Sequence, residues 1–199
     1  MNPALYRVPA WHKRFYRLRW HDAEAVHHRV MGLFPENLSR GDGAGPRAAA
    51  HVLYRLELQA AKPYVLVQSD VPPVDDGLER RPMASFFALL EPGRKVGFRI
   101  DVNAVRMKSR TRRLEPVPLA EVPQWAATTR LATGLRQIEV GVPGDFEVRR
   151  GKGGTPVRVV RLDGRAVVSD GDLAGDLVRR GVGRARSYGC GLLSIAPGS

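Results

Sequence analysis

"VRVVRLDGRAVVSDGDLAGDLVRRGVGRARSYGCGLLSIAP", residues 157–197, holds most of what decides the fold. Its first part is rich in β-branched residues and is divided by Asp163-Gly164, a pair that favours two-residue hairpin turns, so it reads as strand, turn, strand. Asp170 then offers an N-cap, Leu173, Leu177 and Val178 recur at helical spacing as an inward face, and Gly181 supplies a C-cap. Beyond the helix, Gly181, Gly183, Gly189 and Gly191 interrupt a segment that carries Arg184 and Arg186. Glycine there lets backbone N–H groups approach a neighbour closely, and the arginines add charge. Nucleotide-binding spacings do not fit: a dinucleotide fingerprint needs glycine where Arg186 stands, and no Gly-Lys-Ser/Thr closes the run.

Moving back along the chain, "VGFRIDV" (96–102) alternates Val96, Phe98, Ile100 and Val102 with Gly97, Arg99 and Asp101, the mark of a strand with one core face. "RMKSRTRR" (106–113) carries Arg106, Lys108, Arg110, Arg112 and Arg113 with no acid, and reads as an exposed loop or ribbon that contacts a partner. Between Val117 and Leu135 the pattern is helical, with Trp125 its largest apolar residue. The second half therefore runs strand, helix, strand, strand, helix. In the first half "DAEAVHHRVMGLF" (22–34) reads as a helix capped by Asp22, with Glu24 in its first turn and Val26, Val30, Leu33 and Phe34 as its stripe; Pro35 ends it. "HVLYRLEL" and "YVLVQS" form a hairpin across "QAAKP", and the Pro- and Asp-rich "DVPPVDDG" follows as a loop. Helix, strand, strand suggests the same βαββαβ unit with its first strand hidden or missing.

Composition limits the function. The 199 residues, 43% hydrophobic and 26% charged, suit a soluble globular protein, and the order of its strands and helices makes it α+β. No apolar run approaches the roughly 18 residues of a membrane span and no signal-peptide core is visible, which predicts a cytoplasmic protein without membrane contact. Cys190 is the single cysteine, so no internal disulfide or cysteine cluster forms, and it reads as a small buried residue. Neither a metal site nor a cofactor motif is visible. Lysine and arginine number 32 against 20 acids, a net charge of +12. The excess is nearly all arginine, whose planar fork grips phosphate and stacks on bases, and RNA fits that better than a membrane does.

"GVGRARSYGCGLLSIAP" resembles the C-terminal glycine-rich loop of the CasE family, the CRISPR-associated endoribonucleases of type I-E Cascade. Gly181, Gly183, Gly189, Gly191, Leu192, Leu193 and Ala196-Pro197 match its pattern, with Arg186 where lysine is usual. The strand-helix segment before the loop, the "HVLYRLE" and "YVLVQS" strands, and "VGFRIDVNAVRM" are similar to the family as well.

The resemblance implies two tandem ferredoxin-like domains, residues 1–90 and 94–199, and a metal-independent cut of CRISPR repeat RNA at the 3′ base of its hairpin, leaving a 2′,3′-cyclic phosphate and a 5′-hydroxyl. It also implies that the product stays bound, in a Cascade complex with the backbone subunit as neighbour. Five histidines are present: His12, His21, His27, His28 and His51. The family's catalytic histidine stands seven residues before the Phe-Pro that ends the first helix, which is His27 here; His28, about 100° around the helix, is the rival. Arg106, Lys108, Arg110, Arg112, Arg113, Arg184 and Arg186 are the expected RNA contacts. Two departures stand out. Where the family often has tyrosine this chain has Glu24, by default a first-turn acid and alternatively a support for the imidazole. The family also opens with a hydrophobic strand leading into Leu-Asn-Pro, whereas Met1-Asn2-Pro3 begins this chain; either that strand lies upstream, or "FYRLRW" replaces it with Tyr16, Leu18 and Trp20 inward. On those departures rests the other reading, a non-catalytic subunit of the same fold that binds the RNA hairpin.

Overall fold

The structure, a computed structural model, describes residues 3–36, 38, 45–109, 112–151 and 153–198. Two antiparallel sheets organise it. The first contains β1 (Ala4–Pro9), β2 (Leu53–Glu57), β3 (Tyr64–Ser69) and β4 (Glu79–Pro82) in the order β2-β3-β1-β4. The second contains β5 (Lys95–Val102), β8 (Leu135–Arg149), β9 (Pro156–Val168) and β10 (Ser194–Pro197) in the order β10-β5-β9-β8. Between β5 and β8 a small ribbon, β6 (Val105–Met107) with β7 (Leu114–Pro116), projects from the second sheet. The helices are α1 (Ala23–Met31), α2 (Pro46–Ala49), α3 (Ala84–Phe87), α4 (Val122–Ala127) and α5 (Gly171–Arg180).

Numbered within each half, both sheets have strand order 4-1-3-2, the arrangement of a ferredoxin-like βαββαβ unit. The second unit is complete: β5, α4, β8, β9, α5, β10. In the first, β1, α1, β2, β3 and β4 are present, and residues 70–78, where a second helix would lie, form a loop. The expected missing strand is thus a correction. Ala4, Leu5, Tyr6 and Val8 are buried in β1, which pairs with β3 on one side and β4 on the other. A strand covered on both faces loses the polar alternation that would announce it, and Pro9 ends it after six residues. "FYRLRW" is consequently no strand: Lys13–Phe15 is a 3-10 turn, Phe15 is buried, Tyr16 is exposed, and Arg17 has a φ of 55° that an extended chain does not adopt.

Asp163-Gly164 is the second correction. The pair sits mid-strand in β9, with Arg99 and Phe98 opposite it in β5. The glycine answers a steric demand, because a Cβ at residue 164 would collide with the Phe98 ring and lie 2.7 Å from the Glu139 carbonyl oxygen. Asp163 accepts two hydrogen bonds of 2.6 Å from the Arg99 guanidinium. The true hairpin joins β8 to β9, closing where Gly154 N–H donates to Gly151 O. The single helix expected over 117–135 is also divided, into 3-10 turns at Leu119–Glu121 and Arg130–Thr133 around α4. Thr128 and Thr129 hydroxyls donate back to the Trp125 and Ala126 carbonyls there, which competes with continuation of the helix. Asp170 caps α5 as expected, accepting from Leu173 N–H at 2.9 Å, but the buried face is Ala174, Leu177 and Val178; Leu173 is exposed.

Buried charge fastens the halves together. From β2, Arg55 donates to Glu57 (2.7 Å) and to the carbonyls of Arg99 and Leu192, while Glu57 also accepts from Arg161 of β9 at 2.9 Å. Arg161 in turn grips Asp101 of β5 through two hydrogen bonds of 2.7 and 2.8 Å. Gln68 of β3 donates to the Val178 and Arg179 carbonyls, satisfying the last turn of α5.

Candidate active site

The segment after α5 folds back onto the first half. Gly181, Gly183, Gly189 and Gly191 all have φ between 74° and 88°. At Gly181 the reason is contact as well as conformation: a Cβ would lie 2.8 Å from Leu53 and 2.9 Å from the Gly191 carbonyl. Val182 N–H donates to Gly191 O, and Gly191 N–H to Asp101 O, closing the loop on β5. Tyr54 of β2 donates its hydroxyl to Ser187 O at 2.8 Å, and the turn Arg186–Tyr188 packs on α1. The close approach that the glycines imply is therefore made, at least in part, to the first helix and β2.

Capped by Asp22, whose carboxylate accepts from Ala25 N–H at 3.0 Å, α1 buries Ala23, Val26 and Val30. His27 lies at the edge of that stripe and is half-buried, whereas His28 is exposed. Nδ1 of His27 is buried and makes no hydrogen bond. Burial first, then the neighbouring His28 and Arg47 charges, hold the imidazole below its ordinary pKa, with Glu24 opposing. Glu24 Oε2 lies against the β8–β9 turn, 2.5 Å from where a Cβ on Gly151 would stand. The other histidines are engaged elsewhere: His12 with Asp75 at 3.0 Å, His51 with Asp70 at 2.8 Å, and His21 through its carbonyl, which accepts from Arg149 N–H.

Beside this helix opens a cleft of about 390 Å³, lined by Arg47, Asn103, Arg150, Gly183, Arg184, Ala185, Arg186, Ser187 and Tyr188. Among the described residues four guanidinium groups and no carboxylate face it, so it attracts anions. Arg184 and Arg186 were expected; Arg47, Arg150, Asn103 and Tyr188 were not, and they converge from four separate segments that share no motif. Burial and then Arg186 hold the Arg47 guanidinium below its usual pKa; it donates to Val52 O at 3.0 Å. Arg150 lies 5.1 Å from the Tyr188 ring centroid. The basic "RRGKGG" (149–154) was the one sequence sign of this wall.

The described residues of 106–113 belong to a ribbon and its turn, springing from the second sheet just past Asn103 of the cleft. Although it contains no acid, Arg106 pairs with Glu121 and Lys108 with Glu115. Arg112 and Arg113 lie between β6 and β7, and Arg110 falls outside the described residues. Cys190 is fully buried, and burial pushes its thiol pKa up. Among the described residues no group of His, Cys, Asp or Glu is placed to hold a metal ion, and no helix is long and apolar enough to cross a membrane.

Two ferredoxin-like units in tandem, clamped by buried charge and sharing a basic cleft where a C-terminal glycine loop meets Arg47 of the first half and Asn103 and Arg150 of the second, define the class of this protein. The chain belongs to the CRISPR-associated protein family: the family model of that description matches residues 7–197. The resemblance to CasE is met. The chain is 33% identical to the CRISPR-associated endoribonuclease Cse3 of Thermus thermophilus over 73% of this chain and 80% of that protein. It superposes on Thermus thermophilus Cse3 bound to an RNA representing a pre-cleavage complex, with a TM-score of 0.79, 25% identity, and 99% and 100% of the two chains covered. A chain from a CRISPR RNA-guided surveillance complex, pre-nicking, matches with a TM-score of 0.67 and 29% identity over 98% and 99%.

Proposed function

We propose that this chain is a cytoplasmic endoribonuclease that cuts CRISPR repeat RNA at the 3′ base of the repeat hairpin and stays on the product as a subunit of Cascade, beside the backbone subunit. The observation that carries the reading is His27: half-buried, with its pKa lowered, on a helix packed against the glycine loop, whose arginines line a cleft with no acid among its described lining residues. A chain 33% identical that is named an endoribonuclease, and a similar fold solved with RNA, support it. The alternative of a subunit without a cutting centre leaned in part on a missing first strand, and β1 removes that ground.

In the proposed reaction the 2′-hydroxyl before the scissile bond attacks the adjacent phosphorus. A bond forms from O2′ to phosphorus, the bond to the 5′ oxygen breaks, and the products are a 2′,3′-cyclic phosphate and a 5′-hydroxyl. Neutral His27 takes the 2′ proton, for which a lowered pKa suits it, and the departing 5′ oxygen takes a proton from water. Arg184 and Arg186, with the cleft's other guanidinium groups, hold the charge that develops on the phosphate. Glu24 is left as a first-turn acid facing Gly151. Arg106, Lys108, Arg110, Arg112 and Arg113 lie along the phosphates of the hairpin. No step needs a metal or a cofactor. The test is end-group analysis of a labelled repeat cut in EDTA: a cyclic phosphate is expected, and a substrate with 2′-deoxyribose before the scissile bond should bind and remain whole. Cleavage of the deoxy substrate, or dependence on a divalent ion, would overturn the chemistry.

A further inference from the structure

The connection from β1 to α1, "WHKRFYRLRWH" (11–21), carries Lys13, Arg14, Arg17 and Arg19 and no carboxylate. Its backbone is held in place. Phe15 is buried in the core of the first half and meets Trp20 edge-on at 5.4 Å, and His12 accepts from Arg14 N–H while its other nitrogen reaches Asp75. On that frame Trp11 and Tyr16 are each 69% exposed, the two largest exposures among the large apolar side chains of the described residues. The Arg17 guanidinium lies 5.3 Å from the Tyr16 ring centroid. Beside Trp11 is an open hollow of about 480 Å³ whose far wall is Lys62 and Tyr64, with Arg7 stacked 4.1 Å from the Tyr64 centroid. Two acids line it, and both are paired: Asp75 with His12 and Lys13, Glu79 with Arg81.

Large rings left in water, interleaved with cations and set on a rigid turn, fit one kind of partner. Unpaired bases stack on the ring faces and their phosphates meet the cations, whereas a duplex keeps its base faces covered. A lipid surface would call for a broader apolar face than two separate rings, and an acidic peptide has no use for ring faces. The segment also touches the helix that carries the site. Arg14 Nη1 is 3.6 Å from where a Cβ on Gly32 would stand, at the C-terminal end of the helix that carries His27.

We propose that the segment from Trp11 to Trp20, with the hollow at Tyr64, is a track for single-stranded RNA flanking the hairpin, gripping bases on Trp11 and Tyr16 and phosphates on Lys13, Arg17 and Arg19. This rests on the RNA-processing function proposed above.

The experiment compares three RNAs, each blocked by a 2′-deoxyribose before the scissile bond: the repeat hairpin alone, the hairpin with a 5′ single-stranded extension, and the hairpin with a 3′ extension. Wild type should bind at least one extended RNA more tightly than the bare hairpin. Trp11→Ala with Tyr16→Ala should lose about tenfold in affinity for that RNA, the scale of one or two lost stacks, and nothing for the bare hairpin. Trp11→Phe with Tyr16→Phe should keep most of the gain, which a loss of folding would not allow. Equal ratios of extended to bare affinity in wild type and the alanine variant would overturn the proposal while leaving the function above intact. So would unchanged RNA binding with impaired association with other subunits, which would make the surface a protein contact. Failure of wild type to bind any of the RNAs would overturn both.

Discussion

At the scale of the residue, two adjacent histidines on one helix differ because the helix turns about 100° between them. His27 comes to the buried edge of α1 and His28 to solvent. If His27 transfers the proton, His27→Ala should slow single-turnover cleavage by about 10² to 10⁴-fold, the range for a general acid or base, with hairpin affinity nearly unchanged. His28→Ala should keep most activity. The pH profile follows from the direction of the shift. Burial and the His28 and Arg47 charges lower the His27 pKa, so in the free protein the neutral, proton-accepting form persists below 6.5. The single-turnover rate at subsaturating protein should therefore rise with pH on the acid side through a midpoint below 6.5. Bringing a phosphate alongside favours the imidazolium, so at saturating protein the same limb should move to higher pH. A rate that falls with rising pH over this range would reassign His27 from base to acid. Glu24 and His27 stand one turn apart in sequence, yet the carboxylate is turned to Gly151, a choice made by the β8–β9 turn that helical spacing cannot reveal.

At the scale of the element, local signals held where an element's own residues decide it. Asp22 and Asp170 cap their helices because a short side-chain oxygen reaches the backbone N–H three residues on, whatever surrounds it. The signals misled where a neighbour decides. Asp163-Gly164 has the composition of a turn and serves as a flat place in β9 for the Phe98 ring and an ion pair for Arg99. Gly164→Ala should accordingly destabilise the protein by about 1–3 kcal/mol, the usual cost of overpacking, although alanine in a tolerant strand site would stabilise it. Urea unfolding measures this; an unchanged midpoint would mean that Phe98 moves aside freely. β1 shows the complementary failure, a short inner strand whose burial on both faces erased the alternation by which strands are recognised.

At the scale of the whole molecule, the site exists because the two halves are held in one arrangement. Glu57, 4% exposed, is the acid from the first sheet that meets Arg55 on its own strand and Arg161 and Arg99 from the second. Removing one partner of a buried charge network leaves the others uncompensated. Glu57→Gln should therefore cost about 3–5 kcal/mol, read as a lowered unfolding midpoint. Replacing Arg55 and Glu57 together by Met and Leu should recover part of the loss, since apolar groups of similar size need no partners. A Glu57→Gln midpoint within error of wild type would mean that apolar packing alone, with Leu5 and Leu66 of the first sheet in the second core, joins the halves.

The amino-acid sequence by itself determined the repeated βαββαβ plan, the histidine-bearing helix, the basic surplus and the glycine loop, since each depends on spacing, caps or composition within one segment. Only the tertiary structure decided that β1 is an inner strand, that residues 70–78 leave the first unit without its second helix, and that β9 runs unbroken through Asp163-Gly164. It alone brought Arg47, Asn103, Arg150 and Tyr188 to Arg184 and Arg186. The physical reason is the same throughout. A strand's place in a sheet, the room for a Cβ and the charge within a cleft are properties of neighbours that the chain brings together only by folding.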